Sequence, residues 1–159
     1  MIGVFDSGFG GLSILKEIRK ALPEYDYLYL GDRARAPYGT RSREEVHAYT
    51  LEAVEYLMRE RCELIIIACN TASAEAVGRI QQEYLPQHYP DRRVLGVIVP
   101  AAEAAVAATS NKRIGVLATQ GTVSSGTVVN EIRKLNPAIE VFQEPAPLLV
   151  SFIEAGEHH

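Results

Sequence analysis

The sequence predicts an α/β fold, a three-layer, mainly parallel sheet with helices on both faces. Three observations lead there. Short apolar runs alternate with amphipathic stretches from end to end. The most apolar run, Leu64–Ala68, shows no polar alternation, as a strand covered on both faces requires. Glycines and small polar residues gather directly after the apolar runs, where such sheets bind ligands.

Ile2–Phe5 reads as the first strand, followed by a glycine-rich turn. Leu12, Leu15, Ile18 and Leu22 recur at helical spacing, so a helix is expected from Gly11 to Leu22, with Pro23 beyond its end. Tyr27–Leu30 is a short strand, and Gly31 to Arg41 carries too little periodicity to be anything but loop. Ser42 and Glu45 have the spacing of a capping box, which opens a helix through about Arg59. After the strand Leu64–Ala68 come a helix over Thr71 to Tyr84 and a strand over Val94–Val97. Pro100 suits a first turn, so a helix is expected over Ala101–Ala108. Ile114–Leu117 is then a strand, Val123–Leu135 a helix, Ile139–Phe142 a strand and Pro147 to Glu154 a final helix. Gln87 to Arg93 is the natural connector between the earlier and later parts.

Composition narrows the function. The 159 residues are 47% hydrophobic and 23% charged, enough for a sizeable core and against disorder. With a formal net charge of -4 and no run of Lys or Arg, nucleic-acid binding has no electrostatic support. No apolar stretch reaches the ~18 residues of a membrane span. No basic region precedes the first strand, so no signal peptide is read there. Cys62 and Cys69 flank a strand, placing them roughly 20 Å apart, beyond disulfide reach. Two free thiols fit a soluble, cytoplasmic protein.

Chemistry is sought at the strand ends. Asp6-Ser-Gly-Phe-Gly-Gly11 follows the first strand and Cys69-Asn-Thr-Ala-Ser73 the third. Cys69 could be a buried structural thiol, but it stands just before a helix, whose backbone N–H groups are expected to lower its pKa. Asp6 is either a helix cap or a carboxylate facing that thiol. Tyr38 could pack on the core, and Thr119 and Thr122 could cap the following helix. Gly8-Phe9-Gly10 with Asp32 weakly suggests a dinucleotide fingerprint, yet Ser13 stands where its third glycine belongs, and Asp6 would repel a pyrophosphate. No metal is expected, because His47, His88, His158 and His159 lack ligand spacing to Cys or acids.

At these residues the chain resembles the glutamate racemases of the aspartate/glutamate racemase superfamily. The resemblance rests on Val4–Leu12, Gly31–Arg41, Ala68–Ala74, Gly96–Ala102 and Leu117–Val123, in order and at the family's spacing. It implies a cleft between two similar α/β domains, with one catalytic cysteine from each and no cofactor. One thiolate removes the α-proton of glutamate, and the other thiol returns a proton to the opposite face. Cys69 matches the first of these cysteines, and Asp6 resembles the acid that assists it. Ser7, Tyr38, Gly39, Asn70 and Thr71 resemble substrate contacts, Thr119 and Thr122 fall in a threonine-rich segment near the substrate, and Glu154 looks like an acid supporting the second cysteine.

The second cysteine belongs to a Cys-Thr-His motif beyond position 159. Residues 1–97 are therefore expected to be an incomplete first domain, and residues 98–159 the start of a second. The resemblance further implies interconversion of L-glutamate and D-glutamate for peptidoglycan synthesis, with no nucleic-acid or membrane partner and a homodimer left open. The rival expectations are an inactive fragment, a protein that binds a small amino acid, and an aspartate racemase.

Overall fold

The computed structural model describes residues 1–156. Its elements alternate as expected: β1 (Ile2–Asp6), α1 (Gly11–Ala21), β2 (Tyr27–Gly31), a 3-10 turn (Tyr38–Thr40), α2 (Arg43–Arg59) and β3 (Leu64–Ile67). A nearly continuous helical run follows, made of α3 (Asn70–Glu75), α4 (Val77–Arg79), a wider π-helical stretch (Ile80–Tyr84) and α5 (Leu85–His88). Then come β4 (Arg93–Gly96), α6 (Ile98–Ala108), β5 (Arg113–Ala118), α7 (Gln120–Ser125), α8 (Thr127–Leu135), β6 (Glu140–Pro145) and α9 (Leu149–Glu154).

The strands form two parallel sheets, not one. The first has the order β2-β1-β3-β4 and the second pairs β5 with β6. In the first sheet Ile65 and Ile67 point into a core with Val54 and Leu57 of α2 and Ala72 of α3. Ile66 and Leu64 point the other way, toward Ile14 and Leu15 of α1. Helices thus cover both faces, which is why β3 is apolar without alternation. Because the strands are parallel and in register, with Asp6 opposite Gly31 and Ile67 opposite both Phe5 and Gly96, their carboxyl ends line one rim.

In the second sheet, Ile114 and Val141 pack with Ala102 of α6 and Ile132 of α8. The opposite face is bare: Leu117 is 69% exposed and Phe142 52%. Among the described residues no helix is long and apolar enough to cross a membrane.

Several boundaries differ from the periodicity, including a 3-10 turn at Tyr38–Thr40 where loop was expected and a β6 that runs on to Pro145. Gly126, at φ 67°, ends α7 and opens α8, so the helix expected over Val123–Leu135 is two helices with a left-handed joint. Pro100 lies inside the first turn of α6, where a proline forfeits no intrahelical bond, so that helix begins at Ile98. The helix expected to stop at Tyr84 runs on to His88. By contrast, the capping box holds: Ser42 Oγ accepts from the Glu45 N–H, and Glu45 accepts from the Ser42 N–H.

Candidate active site

Cys69 leaves β3 on the shared rim and caps α3, its Sγ accepting the Ala72 N–H at 3.4 Å. Ser7, just past β1, brings its Oγ to 3.3 Å from the same sulfur. Asp6 is buried beside them, and its Oδ2 accepts the N–H groups of Gly8 and Gly11, each at 3.1 Å. The aspartate is therefore both a cap for the turn into α1 and a fixed negative charge near the thiol.

That arrangement reverses the expected direction of the Cys69 pKa. Burial pushes the thiol up, and the charge of Asp6 pushes it further; the donors from Ser7 and Ala72 pull down by less. The thiol of a cysteine only 6% exposed loses more hydration than a short helix's amides return. Cys69 is thus held as a neutral thiol.

Across from α3, the first turn of α7 presents hydroxyls. Thr71 Oγ1 lies 2.9 Å from Thr119 Oγ1, which lies 3.0 Å from Thr122 Oγ1. Thr119 also caps α7 by accepting the Thr122 N–H. Gly39 is needed here, because a Cβ at that position would sit 2.6 Å from Thr119 Cβ. Asn70 is exposed, and its amide has no hydrogen bond among the described residues, so it is free to meet a ligand. A cavity of about 430 Å³ opens beside Asn70, Thr119 and Thr122 and continues along Ile98, Ala102 and Ile132.

Tyr38 takes the core position, one of its two expected places. Its ring is 1% exposed, tilted against Phe5 and Tyr49, and its phenol donates to Asp32 Oδ2 at 2.7 Å. The side chain is thus core. Burial and Asp32 together hold its proton firmly. Asp32, weighed in the sequence as a ribose acid, instead clasps this loop: it also accepts from Arg35, which reaches Glu52 and lies over the Tyr49 ring. Nothing in the spacing of Asp32, Arg35 and Tyr38 marks that clasp, which depends on the loop's path. Glu154 ends α9, but its side chain lies outside the described residues. Among the described residues no three His, Cys, Asp or Glu gather as a metal site.

The rim therefore collects Asp6, Ser7 and Cys69 from one sheet and joins Thr71 to Thr119 and Thr122 from the other. The sequence profile described as Asp/Glu/Hydantoin racemase matches residues 2–153. The chain belongs to that racemase family. It is 46% identical over 156 residues to the glutamate racemase of Geobacter metallireducens, covering 98% of this chain and 55% of the relative. Its fold is similar to that of glutamate racemase isoform RacE1 from Bacillus anthracis, with a TM-score of 0.89 and 37% identity over 96% of this chain and 55% of that one. The glutamate racemase of Francisella tularensis, solved in complex with D-glutamate, has a TM-score of 0.88 and 39% identity, covering 99% of this chain and 57% of its own. The racemase-family chain described here thus spans little more than half the length of these relatives.

Proposed function

We propose that the chain supplies one face of a glutamate racemase site, in which Cys69 exchanges the α-proton of glutamate without a cofactor. The observation that carries this reading is the Cys69 sulfur on the ligand-binding rim, 3.3 Å from Ser7 Oγ and beside the fixed charge of Asp6. An amino acid's Cα–H is a weak acid, so its carbanion needs donors at the carboxylate and a water-poor setting. Asn70, Thr71, Thr119, Thr122 and the N–H groups of the glycine-rich turns are the donors. A thiol that titrates above neutrality releases its proton to solvent when the substrate ammonium offsets Asp6, and the thiolate then takes the α-proton and becomes the thiol again. Inversion requires a second acid on the opposite face. Cys62 does not fill that role, because it is buried at the far end of β3.

On this reading, residues 1–97 and 98–159 are portions of two α/β domains facing a common cleft. L-glutamate and D-glutamate are the ligands, the compartment is the cytoplasm, and the D-glutamate serves peptidoglycan synthesis. A second reading, a site that binds a small amino acid without turning it over, is favoured by the neutral state of Cys69. Titration calorimetry with D-glutamate and D-aspartate tests the ligand class. Saturable heat with D-glutamate, weaker with D-aspartate, is expected; tighter binding of D-aspartate would reassign the substrate, and no heat with either would remove the site.

A further inference from the structure

One buried acid lies outside the residues assigned so far. Glu75 sits on α3 one helical turn beyond Thr71, is 8% exposed, and has an Oε2 with no hydrogen-bond partner among the described residues. Gly121 of α7 passes directly over it. A Cβ at position 121 would lie 2.5 Å from Glu75 Oε1 and 3.3 Å from Thr71 Cγ2. The α7 backbone is therefore seated between the side chains of Thr71 and Glu75. The same seam is closed by the Thr71–Thr119 hydrogen bond and by Thr127 Oγ1 donating to the Ala74 carbonyl at 2.9 Å.

We infer that Glu75 is a positioning residue that seats α7 on α3 and so fixes the Thr71–Thr119–Thr122 cluster. The functional part of this inference rests on reading that cluster as an amino-acid site. A neutral carboxyl tolerates the seam, whereas a carboxylate with a bare oxygen there does not, because an unpaired buried charge is costly. The charged groups acting on Glu75 are Arg43, which eases ionisation, and Glu44, which opposes it, both at the start of α2. The faces of α7 and α8 that close the seam present Gly121 and the hydroxyls of Thr119, Thr122 and Thr127. Burial outweighs Arg43 and holds the carboxyl above its ordinary range.

The sign follows from linkage. Folded Glu75 keeps its proton to a higher pH than unfolded Glu75 does. The seam is therefore at full strength below the unfolded carboxyl's pKa and weakens as pH rises through the folded one.

Hydrogen exchange of the α7 amides, corrected for intrinsic rates, tests this in the 159-residue chain and in Glu75→Gln between about pH 5 and about pH 9. Protection of α7 in the parent should fall relative to E75Q as pH rises from the ordinary carboxyl range toward the folded pKa, by up to about tenfold for each pH unit, and should level off above it. Glu75→Met, which keeps the packing without a titrating group, should follow E75Q. D-glutamate affinity should lose the same pH dependence in both variants. Parallel exchange profiles for the parent and E75Q would overturn the inference. If neither protein binds D-glutamate, the amino-acid reading fails, while the exchange profiles still decide the role of Glu75.

Discussion

Cys69→Ala is expected to lower the rate at which the protein exchanges the α-proton of glutamate with solvent by about 10³-fold, or to background. The substitution removes the sulfur and leaves the fold in place, because among the described residues Sγ holds only the amides of Ala72 and Ser7 and the Ser7 hydroxyl, and alanine fits the space. A second signature belongs to the parent protein. Burial and Asp6 hold the thiol above its ordinary range, so the thiolate is scarce at neutrality. Exchange should therefore climb about tenfold for each pH unit until the Cys69 pKa is reached, and level off above it. Proton NMR of glutamate in heavy water measures both effects. A pH-independent rate, or a C69A rate equal to the parent's, would mean that another group removes the proton.

Gly11→Ala is expected to cost about 3 kcal/mol of folding stability, a large effect for one methyl group. Gly11 opens α1 directly against the strand ends. An added Cβ would stand 2.6 Å from Asp6 Cβ and 3.1 Å from Ala68 Cβ. Neither neighbour is a flexible tip, since Asp6 ends β1 and Ala68, just past β3, is tied to β1 by its N–H donating to the Phe5 carbonyl. Relief requires α1 to lift off the rim, which also removes the Gly11 N–H from Asp6. The loss should therefore appear twice, as a lower urea midpoint and as a shifted Cys69 titration. Gly78→Ala is the control: it lies in a helical segment with nothing within 4 Å of an added Cβ, so it should gain up to about 1 kcal/mol. Equal stabilities for G11A and the parent would contradict the packing at the rim.

What the sequence revealed of the fold and site divides along physical lines. Ile2–Phe5 and Leu64–Ala68 were legible as strands because apolar runs have few alternatives inside a sheet. The Ser42 cap was legible because its two hydrogen bonds are local. Gly126 was missed, because a glycine inside an apolar repeat shows its left-handed φ only once the chain has turned there. That the strands form two sheets was also hidden, since hydropathy does not record which strands pair.

At the site, Asp6 and Cys69 were legible as rim residues because both follow strands of a sheet read as parallel, whose carboxyl ends share one rim, and Ser7 came from the family resemblance. The direction of the Cys69 pKa did not follow. It depends on how much water the fold leaves at the sulfur, and a helix N-terminus in the sequence says nothing about that. Tyr38 shows the same limit: the phenol points to Asp32 rather than outward, a choice made by Phe5 and Tyr49 around its ring.

The most direct test of Cys69 as a one-sided base is the fate of each glutamate enantiomer in heavy water. Among the described residues Cys69 is the one thiol on the rim, so on the proposed reading it is expected to take and return the proton on a single face. Incubated separately with the 159-residue chain, one enantiomer should acquire deuterium at its α-carbon and keep its configuration, while the other should keep its proton. Equal exchange into both enantiomers, or loss of optical activity from either, would contradict the account.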